Sequence, residues 1–302
     1  NLDSVKDRLI LAVAELAQRA YTLVKGKHTR KTSAFVKACL AYCHITIPSI
    51  DDVLKRILLF QHCGRLALMN GCLPQTDTFF KAALKAIPDI PDHVTRDYKR
   101  VATEPMLVEL FRSFASALII VPGHPEHGPF YLAKALVKAV GKVECTTETK
   151  VKVYFSLIPV LGAYTQRKLP YGLPAVESND SLFGGNSRYI AECNDYLSSL
   201  IDGAMKCLAE LAEAKDNCLG SLAIELANLM LMHCAMSKPG DVQVVRKLIK
   251  LGRANGCEGT PFYTNTMNYI KFREAEPQKA VSARGMAAVS QQRAFKELLK
   301  AL

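Results

Sequence analysis

Helical periodicity runs through almost the whole chain and leaves no room for a conventional sheet. Apolar residues recur at three- and four-residue intervals from "LDSVKDRLILAVAELAQRAYTLV" at the start to "AAVSQQRAFKELLKAL" at the end. Convincing two-residue alternation is missing throughout. Such spacing puts one apolar stripe on each helix, and each stripe must be buried against another helix. The predicted helices span 3–24, 31–45, 49–70, 75–87, 104–120, 127–141, 148–166, 187–214, 217–236, 241–255, 260–272 and 286–301. Punctuation supports several of these boundaries. Asp51 and Asp52 acidify a first turn after Pro48, Gly71 stands where a helix C-terminus expects glycine, and Pro74 suits a first helical turn.

Consecutive pairs of these helices occupy about 35–45 residues, the period of HEAT and armadillo repeats. The expectation is an all-α protein, a HEAT-like α-solenoid of about six antiparallel helical hairpins with no sheet of its own. It forms a single domain over 1–302, and the absence of an initiator Met suggests a fragment of a longer protein. Two longer connections interrupt the pattern, "PDIPDHVTRDYKRVAT" at 88–103 and "KLPYGLPAVESNDSLFGGN" at 168–186. Connections of that length in a helical protein are often functional.

Composition narrows the setting. The chain is 49% hydrophobic and 22% charged, values of an ordinary globular protein. No apolar run reaches the roughly 18–20 residues that a membrane-spanning helix needs. The first residues lack the basic and small-residue features of a signal peptide. Ten cysteines are scattered over apolar faces without any C-x-x-C pair. They are expected to be reduced, buried thiols of a cytoplasmic protein. The formal charge of +11 is concentrated at "KGKHTRKTSAFVK" (25–37) and along 238–253. A solvated basic face is the simpler reading. Nucleic acid or an anionic membrane would use the same charge.

The chemistry-bearing motifs are few. "VPGHPEHGPF" (121–130) sets His124, Glu126 and His127 within four positions, the residue types of a zinc site. Helical zinc motifs space their histidines by four. Here the spacing is three, prolines at 122, 125 and 129 forbid a regular helix through the motif, and no third ligand follows nearby. The expectation is a structural corner with no metal, in which Pro125 and Glu126 open the following helix. Cys39, Cys43 and His44 are read as core. His62 and Cys63 are neighbours on one helix and point about 100° apart, which disfavours a nucleophile–base pair. "FGGNS" reads as a glycine turn with Asn186 or Ser187 as N-cap. No nucleotide-binding or hydrolase motif is present. No catalytic residue and no cofactor is expected.

Three blocks, "QHCGRLALMNGCLPQTDTFFKAAL" (61–84), "LIIVPGHPEHGPFYLAKAL" (118–136) and "VESNDSLFGGNSRYIAE" (176–192), resemble in order the C-terminal region of the vacuolar protein sorting 35-like family. This is the large α-solenoid of Retriever within the Commander endosomal recycling assembly, distantly related to the large retromer subunit. Phe183 stands where the family leads one to expect tyrosine, and 274–302 match nothing in it. The resemblance implies a non-enzymatic scaffold, cytoplasmic and peripheral on endosomes. Its concave groove is expected to hold the vacuolar protein sorting 29 subunit. An arrestin-like subunit of the vacuolar protein sorting 26 family would bind an N-terminal part absent here, and coiled-coil Commander subunits are further partners. On this basis Pro122, His124, Glu126 and His127 are expected to orient a turn or meet a partner. The residues themselves point to Gly162 and Ala163, a small-residue patch that another surface can approach closely, and to Asn179, Asp180 and Phe183 beside Gly184 and Gly185, an apolar anchor within polar, adaptable surroundings. A helical-repeat nucleic-acid-binding protein is the alternative. The absence of Trp and of a basic position repeated in every unit disfavours it.

Overall fold

A computed structural model of the chain describes residues 2–96, 99–166, 169, 172–236, 239–276 and 286–301. Among these the architecture is all-α, with thirteen α-helices. The connection at 277–285 and most of 167–171 lie outside the described residues. The chain forms two compact units. The first comprises residues 1–145 with 164–191, and the second 146–163 with 192–302.

In the first unit, α1 (Leu2–Val24) packs on α2 (Arg30–Thr46), and α3 (Val53–Met69) on α4 (Leu73–Ala86). Local chemistry sets each boundary. Thr29 and Thr32 form a reciprocal capping box at the start of α2, and the Asp52 side chain accepts from Lys55 N at 3.1 Å to open α3. At the end of α3, Cys72 N donates to Ala67 O and Gly71 N to Leu68 O. This Schellman pair requires the left-handed conformation that Gly71 adopts at φ +69°. Two helices end alike, forty residues apart. α2 runs into a 3₁₀ turn at Ile47–Ser49, and α4 into one at Ile87–Asp89. In both, an Ile-Pro pair opens the turn, and the isoleucine that follows it donates back to the first isoleucine at 3.1 Å. Both isoleucines of each pair are buried.

The stretch after the second 3₁₀ turn corrects the expectation of no sheet. β1 (His93–Arg96) pairs antiparallel with β2 (Lys99–Ala102), with His93 opposite Ala102 and Arg96 opposite Lys99. Thr103 closes the neck, its N–H donating to Asp92 O at 2.9 Å and its hydroxyl to Pro91 O at 2.6 Å. The β2 residues are all exposed, so neither face of the hairpin carries the apolar alternation that would announce a strand.

α5 (Glu104–Leu118) and α6 (Tyr131–Val140) complete the core of the first unit. Phe79, Phe80, Phe111 and Phe114 are fully buried there, with the rings of Phe80 and Phe114 edge to face at 5.3 Å. Gln61 and Arg65 of α3 hook α5 from inside. The Gln61 amide donates to Leu110 O at 3.4 Å, and the Arg65 guanidinium donates to the carbonyl and hydroxyl of Ser113. The first unit also takes in a short helix, α8 (Asn179–Phe183), inside the connection predicted as irregular over 168–186.

The second unit is built on α7 (Thr147–Tyr164), α9 (Ser187–Glu213), α10 (Leu219–His233), α11 (Pro239–Ala254), α12 (Pro261–Ala275) and α13 (Met286–Ala301). α10 packs on α11, and α13 packs on α11 and α12. Leu157, Ile158, Leu226, Val245, Leu248, Ile270, Phe295 and Leu298 form its core. α7 continues through Pro159, and Asn186 caps α9 by accepting from Arg188 N at 3.0 Å and Tyr189 N at 3.4 Å.

Candidate interaction surface

Between α5 and α6 the chain turns through 119–130, and three prolines prevent it from winding on. The following helix begins at Tyr131, so Pro125 and Glu126 do not form its first turn as the sequence suggests. Residues 124–128 close on themselves instead. His124 N donates to Gly128 O at 3.2 Å and Gly128 N to His124 O at 2.9 Å, with Gly128 at φ +76°. The His124 ring completes the turn. Its Nδ1 accepts from Glu126 N at 3.1 Å and from His127 N at 3.3 Å. The two imidazoles stack at 4.4 Å, and the Tyr131 ring meets that of His124 edge to face at 5.4 Å.

A second set of contacts fixes the corner from α8. Asn179 is 1% exposed. Its carbonyl oxygen accepts from Gly123 N at 2.7 Å, and its amide donates to Val121 O at 3.3 Å. Asp180 accepts from Leu169 N at 2.9 Å and from the Ser178 hydroxyl. The hydroxyl bond first, and the backbone bond second, hold its carboxyl below the usual range. Phe183, half-buried, stacks on Tyr189 at 5.0 Å, and Tyr189 stacks in turn on Phe130 at 6.1 Å. Gly184 and Gly185 are exposed beyond it, Gly185 at φ +89°. The structure therefore brings Pro122, His124, Glu126, His127, Asn179, Asp180, Phe183, Gly184 and Gly185 into one region of the first unit.

Beside the corner lies a groove of about 580 Å³, mostly apolar, walled by Leu73, Pro74, Val121, Pro122 and Pro125. Asp77, His124 and Tyr131 supply its polar groups. The Tyr131 hydroxyl donates to Asp77 Oδ1 at 2.6 Å, and Lys81 pairs with Asp77 at 2.8 Å. Burial, and then this hydrogen bond to Asp77, push the Tyr131 hydroxyl far above its ordinary pKa. Sequence reasoning missed Asp77, Lys81 and Tyr131. Tyr131 and Asp77 are 54 positions apart, and nothing local marks either.

Gly162 and Ala163 sit in the second unit, and both are buried. Gly162 is a close-approach site, but the approach is made by His233 of the same chain. A β-carbon on Gly162 would meet His233 Nδ1 at 2.8 Å and His233 Cβ at 2.9 Å.

Metal coordination at the corner is a question of donor chemistry. One donor atom from each of His124, Glu126 and His127 lies within 4.8 Å of the others, so the three side chains can reach a common ion. His124 opposes it. An ion on Nδ1 would displace two backbone N–H bonds. An ion on Nε2 would place the ring proton on Nδ1, facing those same two donors. The turn and a metal compete for one ring.

The sequence profile of the VPS35L C-terminal domain matches residues 1–293. The chain belongs to this family. The VPS35L match reaches well beyond the blocks at 61–192 and includes the first half of the last helix. Among curated relatives, a rat protein named VPS35 endosomal protein-sorting factor-like is 38% identical over 284 residues, which cover 92% of this chain and 30% of the relative. The human protein of that name is 37% identical over 282 residues, covering 92% of this chain and 29% of the relative. A Dictyostelium discoideum protein with nearly the same name is 39% identical over 238 residues, or 76% of this chain and 24% of the relative. The chain thus spans about three tenths of the length of the rat and human relatives. All three names describe endosomal protein-sorting factors. No helix among the described residues is long and apolar enough to cross a membrane.

Proposed function

We propose that the chain is the C-terminal part of a non-enzymatic scaffold of the Retriever/Commander endosomal recycling complex, and that its helical stack is a HEAT-like solenoid holding the vacuolar protein sorting 29 subunit in its concave groove. An arrestin-like subunit of the vacuolar protein sorting 26 family binds outside this chain, coiled-coil Commander subunits dock alongside, and the assembly is peripheral on endosomes. Membership of the VPS35L family supports this reading, as do the relatives' names as sorting factors.

The single observation that carries the partner surface is the braced corner. Asn179 clamps the backbone at Val121 and Gly123, while Pro122, His127 and Phe183 remain partly or fully accessible. Such a surface loses little conformational entropy when a partner docks, and it offers an aromatic anchor within polar surroundings. Gly162 and Ala163 serve this surface least, since their neighbours within the chain already cover them. Titration calorimetry of this chain with the purified vacuolar protein sorting 29 subunit tests the proposal. The double variant Phe183→Ala with His127→Ala should weaken binding at least about tenfold, the loss of one modest anchor. Unchanged affinity would place the contact elsewhere.

A further inference from the structure

Between Glu15 and Asp51 the sequence holds six Lys or Arg residues and no acid. Four of them, Lys25, Lys27, Arg30 and Lys31, are gathered where α1 turns into α2, and all four are exposed. None has an ion-pair partner among the described residues. Arg19, by contrast, is paired with Glu15 at 2.6 Å. His28 lies between them, with both ring nitrogens buried away from water.

The turn that carries these charges is closed and stiff. Lys25 and Gly26 both adopt left-handed backbone, at φ +51° and +74°. Gly26 N donates to Tyr21 O at 3.1 Å and Lys27 N to Val24 O at 3.0 Å. The capping box of Thr29 and Thr32 then fixes the first turn of α2. Four like charges within seven positions repel one another, and no ion pair with a described acid relieves them. Leu23, one residue before the turn and 83% exposed, adds an apolar side chain beside the cluster.

We infer that the α1–α2 corner is a contact for anionic lipid, with Lys25, Lys27, Arg30 and Lys31 reading the negative surface of a bilayer and Leu23 entering its interface. The inference rests on the peripheral membrane association proposed above and names a surface for it. Leu23 selects a bilayer over nucleic acid, because an exposed leucine among cations finds an apolar phase only in the former. Each basic side chain near an anionic membrane strengthens partition by about fivefold. The attraction is screened within a Debye length of about 8 Å at physiological salt.

The test is co-sedimentation of the whole chain with vesicles of phosphatidylcholine, with and without phosphatidylserine, at low and physiological salt. The expected result is binding that requires phosphatidylserine and weakens with salt. The variant K25A/K27A/R30A/K31A should lose at least about a hundredfold in partition. The charge-keeping variant K25R/K27R/R30K/K31R and the control R246A/K247A/K250A on α11 should both retain it. A thermal melt checks each variant, and Lys27→Glu with Lys31→Glu serves if the quadruple variant does not fold. Binding of the small partner subunit, measured on the same proteins, separates the two proposals. Wild-type binding to anionic vesicles that the corner variants leave unchanged would overturn the corner and spare the membrane association. No vesicle binding with intact partner binding would overturn the corner and spare the scaffold. Binding to a random duplex oligonucleotide without vesicle binding would assign the corner to nucleic acid and overturn the inference.

Discussion

Asn179→Ala is the substitution with the clearest expected consequence. It removes two hydrogen bonds and leaves Gly123 N and Val121 O without their partner. The two losses differ in size. Gly123 is half-buried, so water reaches its N–H in part, and the cost there is about 0.5–1.5 kcal/mol, the net value of one ordinary hydrogen bond. Val121 is buried. Its carbonyl keeps no such outlet, and an unsatisfied buried acceptor costs about 1–3 kcal/mol. The 3.3 Å length of that bond argues for the lower half of the range. Together the corner should loosen by about 1.5–3.5 kcal/mol. Amide hydrogen exchange is the right assay, because it reads the Gly123 N–H directly and does not assume that the two units unfold together. Exchange at Gly123 should accelerate by about ten- to three-hundredfold in Asn179→Ala, with amides of α10 and α11 unaffected. Asn179→Asp is the control. It can still accept from Gly123 N but cannot donate to Val121 O, so it should fall between the two. Acceleration below about threefold in Asn179→Ala would refute the claim that this side chain holds the corner.

Three further outcomes follow from the same geometry. His124→Ala should loosen the 124–128 turn by about 1 kcal/mol, whereas His124→Asn, whose Oδ1 can stand in for Nδ1, should restore it; exchange of the Glu126 and His127 amides decides. Gly162→Ala gains about 1 kcal/mol of helix propensity but drives a methyl into His233, an overpacking cost of about 1–3 kcal/mol, so thermal stability should fall, and a rise would show that His233 moves freely. Burial holds His62 and His233 below the usual 6.5, with Arg65 adding to the effect on His62; the unfolded chain takes up these protons first, so stability is complete above about pH 6.5 and falls as pH drops below it. Urea titrations should show that slope, His62→Gln should reduce it, and a flat profile would rule the linkage out.

The helical architecture was legible because amphipathic periodicity is a local signal that burial enforces at every turn. The cap at Asn186 and the glycine stop at Gly71 were legible for the same reason, since each acts within a few residues, whereas Asp52, read as a first-turn acid, is the N-cap itself. The β-hairpin at 93–102 was not. Its strands are mostly solvent-exposed and held by a pinned neck, so no apolar alternation marks them. The corner was half legible. The three prolines showed that no helix crosses it, but the choice of a closed turn over a helix start depends on His124 Nδ1 meeting two backbone amides. That is geometry rather than pattern. Asn179, expected at a partner surface, turns inward to bind backbone 56 and 58 positions away, a separation at which sequence alone gives no pairing. At Gly162 it is His233 of the same chain that comes close, which no local pattern could show.

The matching Ile-Pro ends of α2 and α4 bear on the order in which the chain acquires its structure. Each ends a hairpin using residues within three positions of one another, and the two ends recur at forty residues. A ribosome adds forty residues in about 2–8 seconds, whereas a helix forms within about a microsecond. Each hairpin of the first unit therefore has ample time to wind and terminate before the next emerges, and its contacts with its own partner helix are local ones that close fast. The corner at 121–128 is the exception. Its clamp on Gly123 is made 56 residues later, about 3–11 seconds behind at the same pace. During synthesis the proposed partner surface is the last part of the first unit to set, and a partner present before then meets hairpins already formed around a corner still open.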